Sequence, residues 1–431
     1  MTVTSPPSLA PPVDTPEPRA PASRRSLETL IVRVVSSVVA VHVVDDNFLQ
    51  PNPGTSAADH LLGGLVPLSL LLGAALAYPR LRPFSRGVTA LLVGMFGLAA
   101  GLEGWHYSLS VGPSGDDFTG LVTLPAGALL LPLAVVTLWR GRRRDGSRAR
   151  RYGRRALIAV GGAALGFFIA MPVVLGYQFT HLATSYVPEA KLGTAYEEVR
   201  FETSDGFELE GWYIPSRNGA AVISFPGRKV KGSQSRARFL ARHGYGVLLF
   251  DRRGEGESDG DPNSFGWDGD RDVKAAIDYL QSRPDVEPGR IGGIGLSVGG
   301  EMLLETAAET SELSAVVSEG AGSRSYREVR DIAGAEALSY LPMALAVTLF
   351  SGYTPPPALG DLVAKIRQPT LLIHGRDSQN GTERRHNVHY DEVGGPNVKR
   401  WEIPSSGHTG GLEAAPEDYE RRVVRFFNAA L

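Results

Sequence analysis

The segment Ile291-Gly-Gly-Ile-Gly-Leu-Ser297-Val-Gly-Gly300 decides the fold. An apolar run over residues 291–294, suited to a buried strand, leads directly into the G-x-S-x-G motif of residues 295–299. The glycine on each side lets the backbone turn sharply from a strand into a helix. Such a turn holds the serine hydroxyl above the end of a sheet, where a substrate can reach it. The segment therefore predicts a nucleophile elbow with Ser297 as the nucleophile.

An acid and a base follow Ser297 along the chain, in that order. Asp377 comes directly after a predicted buried strand at 370–373, and His408 comes after a predicted strand at 398–404. Functional groups of parallel sheets gather at the carboxyl ends of the strands, so these side chains are expected to meet. His408 would take the proton of the serine hydroxyl, and Asp377 would orient the imidazole ring.

Other candidates for these roles are weaker. Glu319, at the end of the apolar run 314–318, is the alternative acid. His386 and His389 lie in a polar, helical stretch and are predicted to be surface residues.

A second motif carries a family resemblance. The turn Asp251-Arg-Arg-Gly-Glu-Gly-Glu-Ser258 is similar to the D-x-R-G-x-G-x-S turn of many α/β hydrolases. Together with the serine motif and the order of the triad, it makes residues 190–431 resemble the α/β-hydrolase superfamily. The resemblance is strongest to its serine esterase, lysophospholipase-like and serine aminopeptidase-like branch. The turn itself is expected to brace the sheet rather than to react.

The resemblance also implies an oxyanion hole. It would pair the backbone N–H of Val298 with the N–H of Arg228, in the loop after the third strand. Relatives usually have His-Gly in this loop, whereas this chain has Pro226-Gly227. Gly227 is retained, so within this pair the chain differs from its relatives only in having Pro226 at the position of the histidine.

The composition excludes several classes of protein. The 431-residue chain has a formal net charge of −2, so it lacks the overall positive charge that is typical of nucleic-acid-binding proteins. It has no cysteine, and therefore no disulfide and no thiolate site. The sequence predicts neither a cofactor nor a metal site.

The N-terminal part has a different character. Residues 1–25 are rich in Pro, Ser and Ala and are predicted to be a disordered tail. Residues 26–178 are predicted to form a transmembrane helical domain of about five spans. The candidate spans are 30–44, 61–78, 88–102, 120–139 and 156–177, and the first of them is short and contains Arg33.

The charges of the connecting loops predict the orientation. Residues 140–155 contain nine arginines, and residues 79–86 contain three. The alternate loops, 45–60 and 104–118, contain aspartates but no Lys or Arg. Because positively charged loops stay in the cytoplasm, the chain should be outside after the last span. The expected location is the plasma membrane, with an extracytoplasmic hydrolase domain.

Polar residues gather at the outer ends of the predicted spans. Ionisable residues near a membrane often have a function, but their spacing matches no metal-ligand motif. They are expected to be interface and loop residues, and the set includes His42, Asp45, Asp46, His60 and His106.

The predicted fold is therefore an N-terminal α-helical membrane domain followed by an α/β-hydrolase domain. The latter has a mostly parallel sheet flanked by helices and a helical cap at approximately 322–360. Residues 335–350 are apolar enough to form a lid over the site.

The predicted function is a membrane-anchored serine hydrolase that cleaves an ester, thioester or amide through an acyl-enzyme. Its expected partners are a small-molecule or lipid-like acyl substrate and the membrane, with no nucleic acid. The alternative is a catalytically inactive sensor or binding protein with the hydrolase fold, tethered to a functional membrane domain.

Overall fold

The computed structural model describes residues 22–110, 112–113, 115–141, 147–183, 192–228, 233–376 and 378–431. Most of the predicted N-terminal tail, residues 1–21, therefore lies outside the described residues. The N-terminal part is helical. Its helices are α1 (Ala22–Val44), α2 (Leu61–Ala77), α3 (Pro83–Ser110), α4 (Asp117–Arg140), α5 (Arg148–Leu165) and α6 (Met171–His181).

Five helical segments are long and apolar enough to cross a membrane. The described residues contain these candidate spans at Ser26–Leu49, Leu61–Arg80, Pro83–Leu109, Asp117–Arg140 and Arg148–His181. The first combines α1 with the π-helical turn Asp45–Leu49, and the last joins α5 to α6 through a second such turn, Gly166–Ala170. Each segment contains one of the five runs predicted from the sequence.

Helices α3 and α4 pack closely because glycines line their contact. A Cβ atom on Gly127 of α4 would lie 2.7 Å from the carbonyl oxygen of Gly94, and one on Gly101 of α3 would lie 2.5 Å from Leu124 Cγ. Small residues of this kind let two apolar helices approach at backbone distance. Helix α5, in contrast, buries none of its residues, all of which are described.

Within the described residues, the C-terminal part is built on a sheet of eight strands. They are β1 (Glu197–Glu202), β2 (Glu208–Ile214), β3 (Ala221–Phe225), β4 (Gly246–Phe250), β5 (Ile291–Leu296), β6 (Ala315–Glu319), β7 (Thr370–Gly375) and β8 (Val398–Ile403). The strand order is β1-β2-β4-β3-β5-β6-β7-β8. Strand β2 pairs antiparallel with β1 and β4, and the other pairs are parallel. The predicted fold class is confirmed.

Helices cover both faces of the sheet and bury two apolar cores against it. The helices of this part are α7 (Ser233–Arg242), α8 (Asp270–Gln281), α9 (Val298–Glu309), α10 (Tyr326–Ala333), α11 (Ala337–Ser351), α12 (Leu359–Val363), α13 (Thr382–Val393), α14 (Gly411–Ala414) and α15 (Pro416–Ala430). Strands β3 to β6 are buried throughout, as expected for parallel strands covered by helices on both faces.

Helices α10 and α11 form an insertion between β6 and β7, within the segment predicted as the cap. Helix α11 packs against α6, the last helix of the N-terminal part. A Cβ atom on Gly176 of α6 would lie only 2.7 Å from Ala346 Cβ of α11, so the glycine permits close packing. The rings of Tyr177 and Phe350 meet edge to face at 5.1 Å.

A polar contact also joins the two parts of the chain. The His60 Nε2 atom lies 3.0 Å from Asp261 Oδ1, and the Asn52 side chain donates to the same oxygen at 2.9 Å. The backbone N–H of Gly260 donates to the Pro53 carbonyl at 2.8 Å. The loop before α2 thus lies against the loop after β4, and His60 lies in the contact between the two parts of the chain.

Candidate active site

Ser297 occupies the sharp turn between β5 and α9. Its backbone has φ 50° and ψ −122°, a conformation that costs free energy in a residue with a Cβ atom. The flanking glycines are required by close contacts: a Cβ atom on Gly295 would lie 2.5 Å from the Gly299 carbonyl carbon. One on Gly299 would lie 2.5 Å from the Pro226 carbonyl oxygen. This is the sharp strand-to-helix turn that the motif predicts.

His408 is the partner of the serine hydroxyl. It lies in the loop after β8, and its Nε2 atom is 3.0 Å from Ser297 Oγ. In this geometry the hydroxyl donates to Nε2, which is the arrangement that a general base needs. The structure therefore brings together the predicted nucleophile and the predicted base, which are separated by 111 positions in the sequence.

The acid that contacts His408 is Glu383, which the sequence reasoning missed. The Nδ1 atom of His408 lies 2.7 Å from Glu383 Oε2. Glu383 is the second residue of α13, which follows β7, so it lies near the carboxyl end of the expected strand. An acidic residue in the first turn of the helix after that strand is the signal that could have identified it.

The surroundings of Glu383 keep it ionised. Its side chain is buried, which by itself opposes ionisation. Hydrogen bonds from His408, the Ser378 hydroxyl and the Gly375 backbone N–H outweigh that effect, so the pKa of the carboxyl lies below its ordinary value. A buried carboxylate with these donors can fix the imidazole tautomer with Nδ1 protonated.

The predicted acid Asp377 lies outside the described residues. Its assignment therefore stays a prediction. Glu383 lies six positions after Asp377 in the sequence, beyond the segment that was predicted to supply the acid.

Glu319, the alternative acid suggested by the sequence, has a structural role instead. It is buried in an ion pair, with Arg236 Nη2 2.5 Å from its Oε2 atom, and Tyr419 donates to the same oxygen at 2.7 Å. Its other oxygen accepts the backbone N–H of Gly411 at 2.7 Å. Both oxygens are thus engaged away from His408, and the alternative acid assignment is wrong. Glu319 instead fixes the segment that follows His408.

The prediction that His386 is a surface residue is also wrong. Only 5% of its surface is exposed, because α13 turns this side chain inward toward the site. Burial, together with the nearby charge of Arg385, lowers its pKa to about 4, so the ring is neutral at physiological pH. His389 is half-buried.

The loop after β3 lies against the elbow. A Cβ atom on Gly227 would be 3.1 Å from Ser297 Cβ. Val298 is the first residue of α9, so its N–H has no acceptor within the helix. The backbone of Arg228 follows directly, while its guanidinium donates to the Ser264 carbonyl at 2.8 Å. The two predicted oxyanion residues, Val298 and Arg228, line the same pocket as Ser297.

A pocket of about 330 Å³ opens at Ser297 and His408. Its walls come from four parts of the chain: the elbow and the loops around it, the insertion, helix α6 and helix α13. The lining residues include Met171, Pro172, Leu175, Arg228, Val298, Glu301, Val329, Ala333, Ser339, Tyr340, Met343, Gln379 and His386. Ser339, Tyr340 and Met343 of the insertion thus line the pocket, within the run 335–350 for which the sequence predicted a lid.

The turn after β4 is held by buried ion pairs. Arg253 donates from Nε to Asp272 at 2.7 Å and from Nη1 to Asp205 at 2.8 Å. The Ser258 hydroxyl donates to the Asp251 carbonyl at 2.8 Å, which closes the turn. These contacts give the motif the bracing role expected of it.

Three carboxylates also meet away from the site, at the ends of α1, α3 and α4. The oxygens of Asp46, Glu103 and Asp116 lie within 4.8 Å of one another. Tyr177 donates to Glu103 at 2.6 Å, and Asn47 donates to Asp46 at 2.6 Å. Protein donors therefore already satisfy part of this cluster.

A serine at an elbow, a histidine on its hydroxyl and a buried carboxylate behind the histidine, set on this sheet, define an α/β hydrolase. Residues 171–395 match the X-Pro dipeptidyl-peptidase (S15) family over more than half of the chain. The chain belongs to that family.

Individual relatives cover parts of the chain. An uncharacterised protein of Mycobacterium tuberculosis is 31% identical over 186 residues, which are 42% of this chain and 61% of that protein. The α/β-hydrolase domain-containing protein WAV2 of Arabidopsis thaliana is 27% identical over 244 residues, 52% of this chain and 75% of WAV2. A Pyrococcus furiosus esterase structure covers 57% of this chain and 98% of its own, with 24% identity and a TM-score of 0.46. The chain spans about six-tenths of the length of the mycobacterial relative.

The role of Glu319 can be tested by replacing its charge. Glu319→Gln leaves Arg236 buried without a counter-charge, so the free energy of unfolding should fall by about 3–5 kcal/mol. Glu402→Gln, on strand β8, is the matched control. It removes exposed pairs with Arg376 and Arg384 and should cost less than about 1 kcal/mol. Denaturant unfolding of the purified protein measures both; equal effects, or an activity loss without a stability loss in Glu319→Gln, would contradict this role.

Proposed function

We propose that this protein is a membrane-anchored serine hydrolase that cleaves an ester, thioester or amide through an acyl-enzyme. The observation that carries the proposal is the unbroken chain of contacts at the site. Ser297 Oγ lies 3.0 Å from His408 Nε2, and His408 Nδ1 lies 2.7 Å from Glu383 Oε2. An elbow serine, a histidine and a buried carboxylate in this order are what nucleophilic catalysis by serine needs.

The acylation step follows from these contacts. The Ser297 oxygen attacks the acyl carbon, and its proton passes to Nε2 of His408. Glu383 stabilises the imidazolium that results, without itself taking the proton. The negative charge that develops on the carbonyl oxygen faces the N–H groups of Val298 and Arg228, and α9 directs its positive N-terminal end at the same point.

Collapse of the tetrahedral intermediate completes the reaction. His408 gives its proton to the leaving oxygen, sulfur or nitrogen, and the acyl group remains on Ser297. A water molecule then loses a proton to His408 and attacks the acyl carbon. The acid leaves as the proton returns to the serine oxygen, which restores the starting state.

A peptide amide is the second candidate for the substrate bond, because of the family to which the chain belongs. A peptidase that removes N-terminal dipeptides must hold a free ammonium group near the serine. Glu301 lines the pocket, but its Oε2 atom lies 3.8 Å from Arg324 Nε, and its Oε1 atom accepts the Gly322 N–H at 2.9 Å. Arg324 also pairs with Glu305, so one guanidinium serves two carboxylates, and Glu301 is the pocket carboxylate that a substrate ammonium group would meet. Comparing Gly-Pro-p-nitroanilide with p-nitrophenyl esters separates the two.

The inactive-sensor alternative requires a site that cannot react. Replacement of the usual histidine by Pro226 favours it, since the loop that forms the oxyanion hole differs from that of relatives. The serine, the histidine and the carboxylate are nevertheless all within hydrogen-bond distance, which favours catalysis.

We infer that the N-terminal helices anchor the protein in the plasma membrane, with the site outside. The lengths and apolar character of the five segments support the anchoring. The arginines of residues 140–155 precede the last segment and support a cytoplasmic location for that loop. The sheet domain then follows on the opposite side.

Replacing the nucleophile gives the first test. Ser297→Ala should lower kcat for p-nitrophenyl esters by roughly 10⁴–10⁶-fold. The melting temperature should change little, since one hydroxyl is lost at a half-buried turn. Ser323→Ala, in the same pocket, is the control and should remain active. An alanine variant that retains most of the activity would rule out Ser297 as the nucleophile.

The identity of the acid is decided by a pair of amide variants. Glu383→Gln should lower kcat by roughly 10⁴-fold, because the amide favours the wrong imidazole tautomer. Asp377→Asn should have a much smaller effect if Glu383 is the acid. The reverse order of effects would return the role to Asp377. Steady-state kinetics on one ester, with melting temperatures alongside, is sufficient.

The orientation has its own experiment. Protease added to spheroplasts should cleave the 192–431 region, and a phosphatase fused after residue 183 should be active. A fusion after residue 141 should be inactive, because that loop is expected inside. Protection of the 192–431 region from external protease would overturn the orientation.

A further inference from the structure

The pocket at Ser297 has a wall made by a candidate membrane span. Met171, Pro172 and Leu175 belong to α6, and they line the same pocket as Ser297 and His408. Helix α6 is the last part of the candidate span Arg148–His181. The site is therefore not separated from this span by a water-filled linker, because the helix itself closes one side.

The depth of this wall follows from helix geometry. The uncharged part of the span begins at Ala156, directly after Arg155. At 1.5 Å per residue, Met171 lies roughly 22 Å and Leu175 roughly 28 Å beyond that point. A hydrocarbon core is about 30 Å thick, so both residues fall in its outer half. The pocket thus reaches the level of the outer leaflet.

The insertion presents an apolar surface at the same level. Helix α11 packs on α6 and turns Ser339, Tyr340 and Met343 toward the pocket. At 100° per residue, the opposite side of α11 carries three leucines. They are exposed, at 42–62% of their surface, and they are Leu338, Leu341 and Leu345. A leucine stripe next to a span is stabilised by lipid rather than by water.

We propose that the substrate is an ester lipid of the outer leaflet, whose acyl chain passes from the bilayer along α6 into the pocket. This inference rests on the proposed serine hydrolase function. The volume of about 330 Å³ is at the small end of ligand pockets and suits one acyl chain. The apolar wall of Met171, Leu175 and Met343 receives the chain, and the ester meets Ser297 at the polar end.

The energetics favour this route over capture from water. Moving a chain from lipid into water costs about 0.8 kcal/mol per methylene, or roughly 10 kcal/mol for a dozen. A chain that moves from the bilayer along an apolar wall avoids that cost. The enzyme should therefore act on esters in its own bilayer far faster than on the same esters in separate vesicles.

The test uses the full chain reconstituted in phosphatidylcholine vesicles. One set of vesicles contains p-nitrophenyl palmitate in the same bilayer as the protein, and a second set receives it in separate vesicles. Soluble p-nitrophenyl acetate measures the basal reaction. The wild type should hydrolyse palmitate at least about tenfold faster in the shared bilayer; equal rates in both arrangements would overturn the proposal.

Substitutions in α6 test whether the acyl chain passes along this helix. Met171→Trp and Leu175→Trp fill the wall and should lower the palmitate-to-acetate rate ratio in the shared bilayer by about tenfold, the equivalent of about 1.4 kcal/mol. Ile169→Trp is the matched control, since Ile169 is 43% exposed, Met171 is 44% exposed, and Ile169 does not line the pocket. A control that changes the ratio as much as the wall variants, or wall variants that leave it unchanged, would contradict the route.

The proposed hydrolase function and the proposed lipid substrate can be refuted separately. A wild type that hydrolyses neither ester refutes the hydrolase function and this inference together. A wild type that hydrolyses acetate in the absence of any shared-bilayer preference refutes the inference alone.

Discussion

The site depends on one imidazole ring that joins three separate parts of the chain. His408 follows β8, Ser297 follows β5, and Glu383 begins the helix after β7. The ring contacts both other side chains at hydrogen-bond distance. Each contact requires the strands to end at the same edge of the sheet, so the parallel order of β5 to β8 is what makes the site. The elbow adds a strained serine that the flanking glycines permit.

A buried charge network fixes the segment after His408. Arg236, Glu319 and Tyr419 contact one another, and Glu319 also accepts the Gly411 N–H. Removing one partner from such a network leaves a buried charge without compensation, which is strongly destabilising. Both carboxylate oxygens of Glu319 accept hydrogen bonds within this network, which explains why Glu319 orders the loop instead of acting on the ring.

The sequence predicted the elements that carry strong local signals. The glycines around Ser297, the apolar strands and the long apolar helices all leave a pattern that is independent of tertiary contacts. The signal for Glu383 is only its place in the first turn of the helix after β7. His386 has none, because α13 is polar by composition and only its packing shows which side faces inward. The contact of α6 with α11 could not be predicted from the sequence either, because Gly176 and Ala346 are separated by 170 positions. The sequence placed the pocket at Ser297 but not its wall in α6.

The central claim is that Ser297 is a nucleophile activated by His408. Incubating the membrane-embedded protein with a fluorophosphonate and mapping the adduct by mass spectrometry tests it most directly. The account predicts one phosphonyl group per chain, located on Ser297, and no adduct in the His408→Ala variant. A wild-type protein without an adduct, or with one on a different residue, would contradict it.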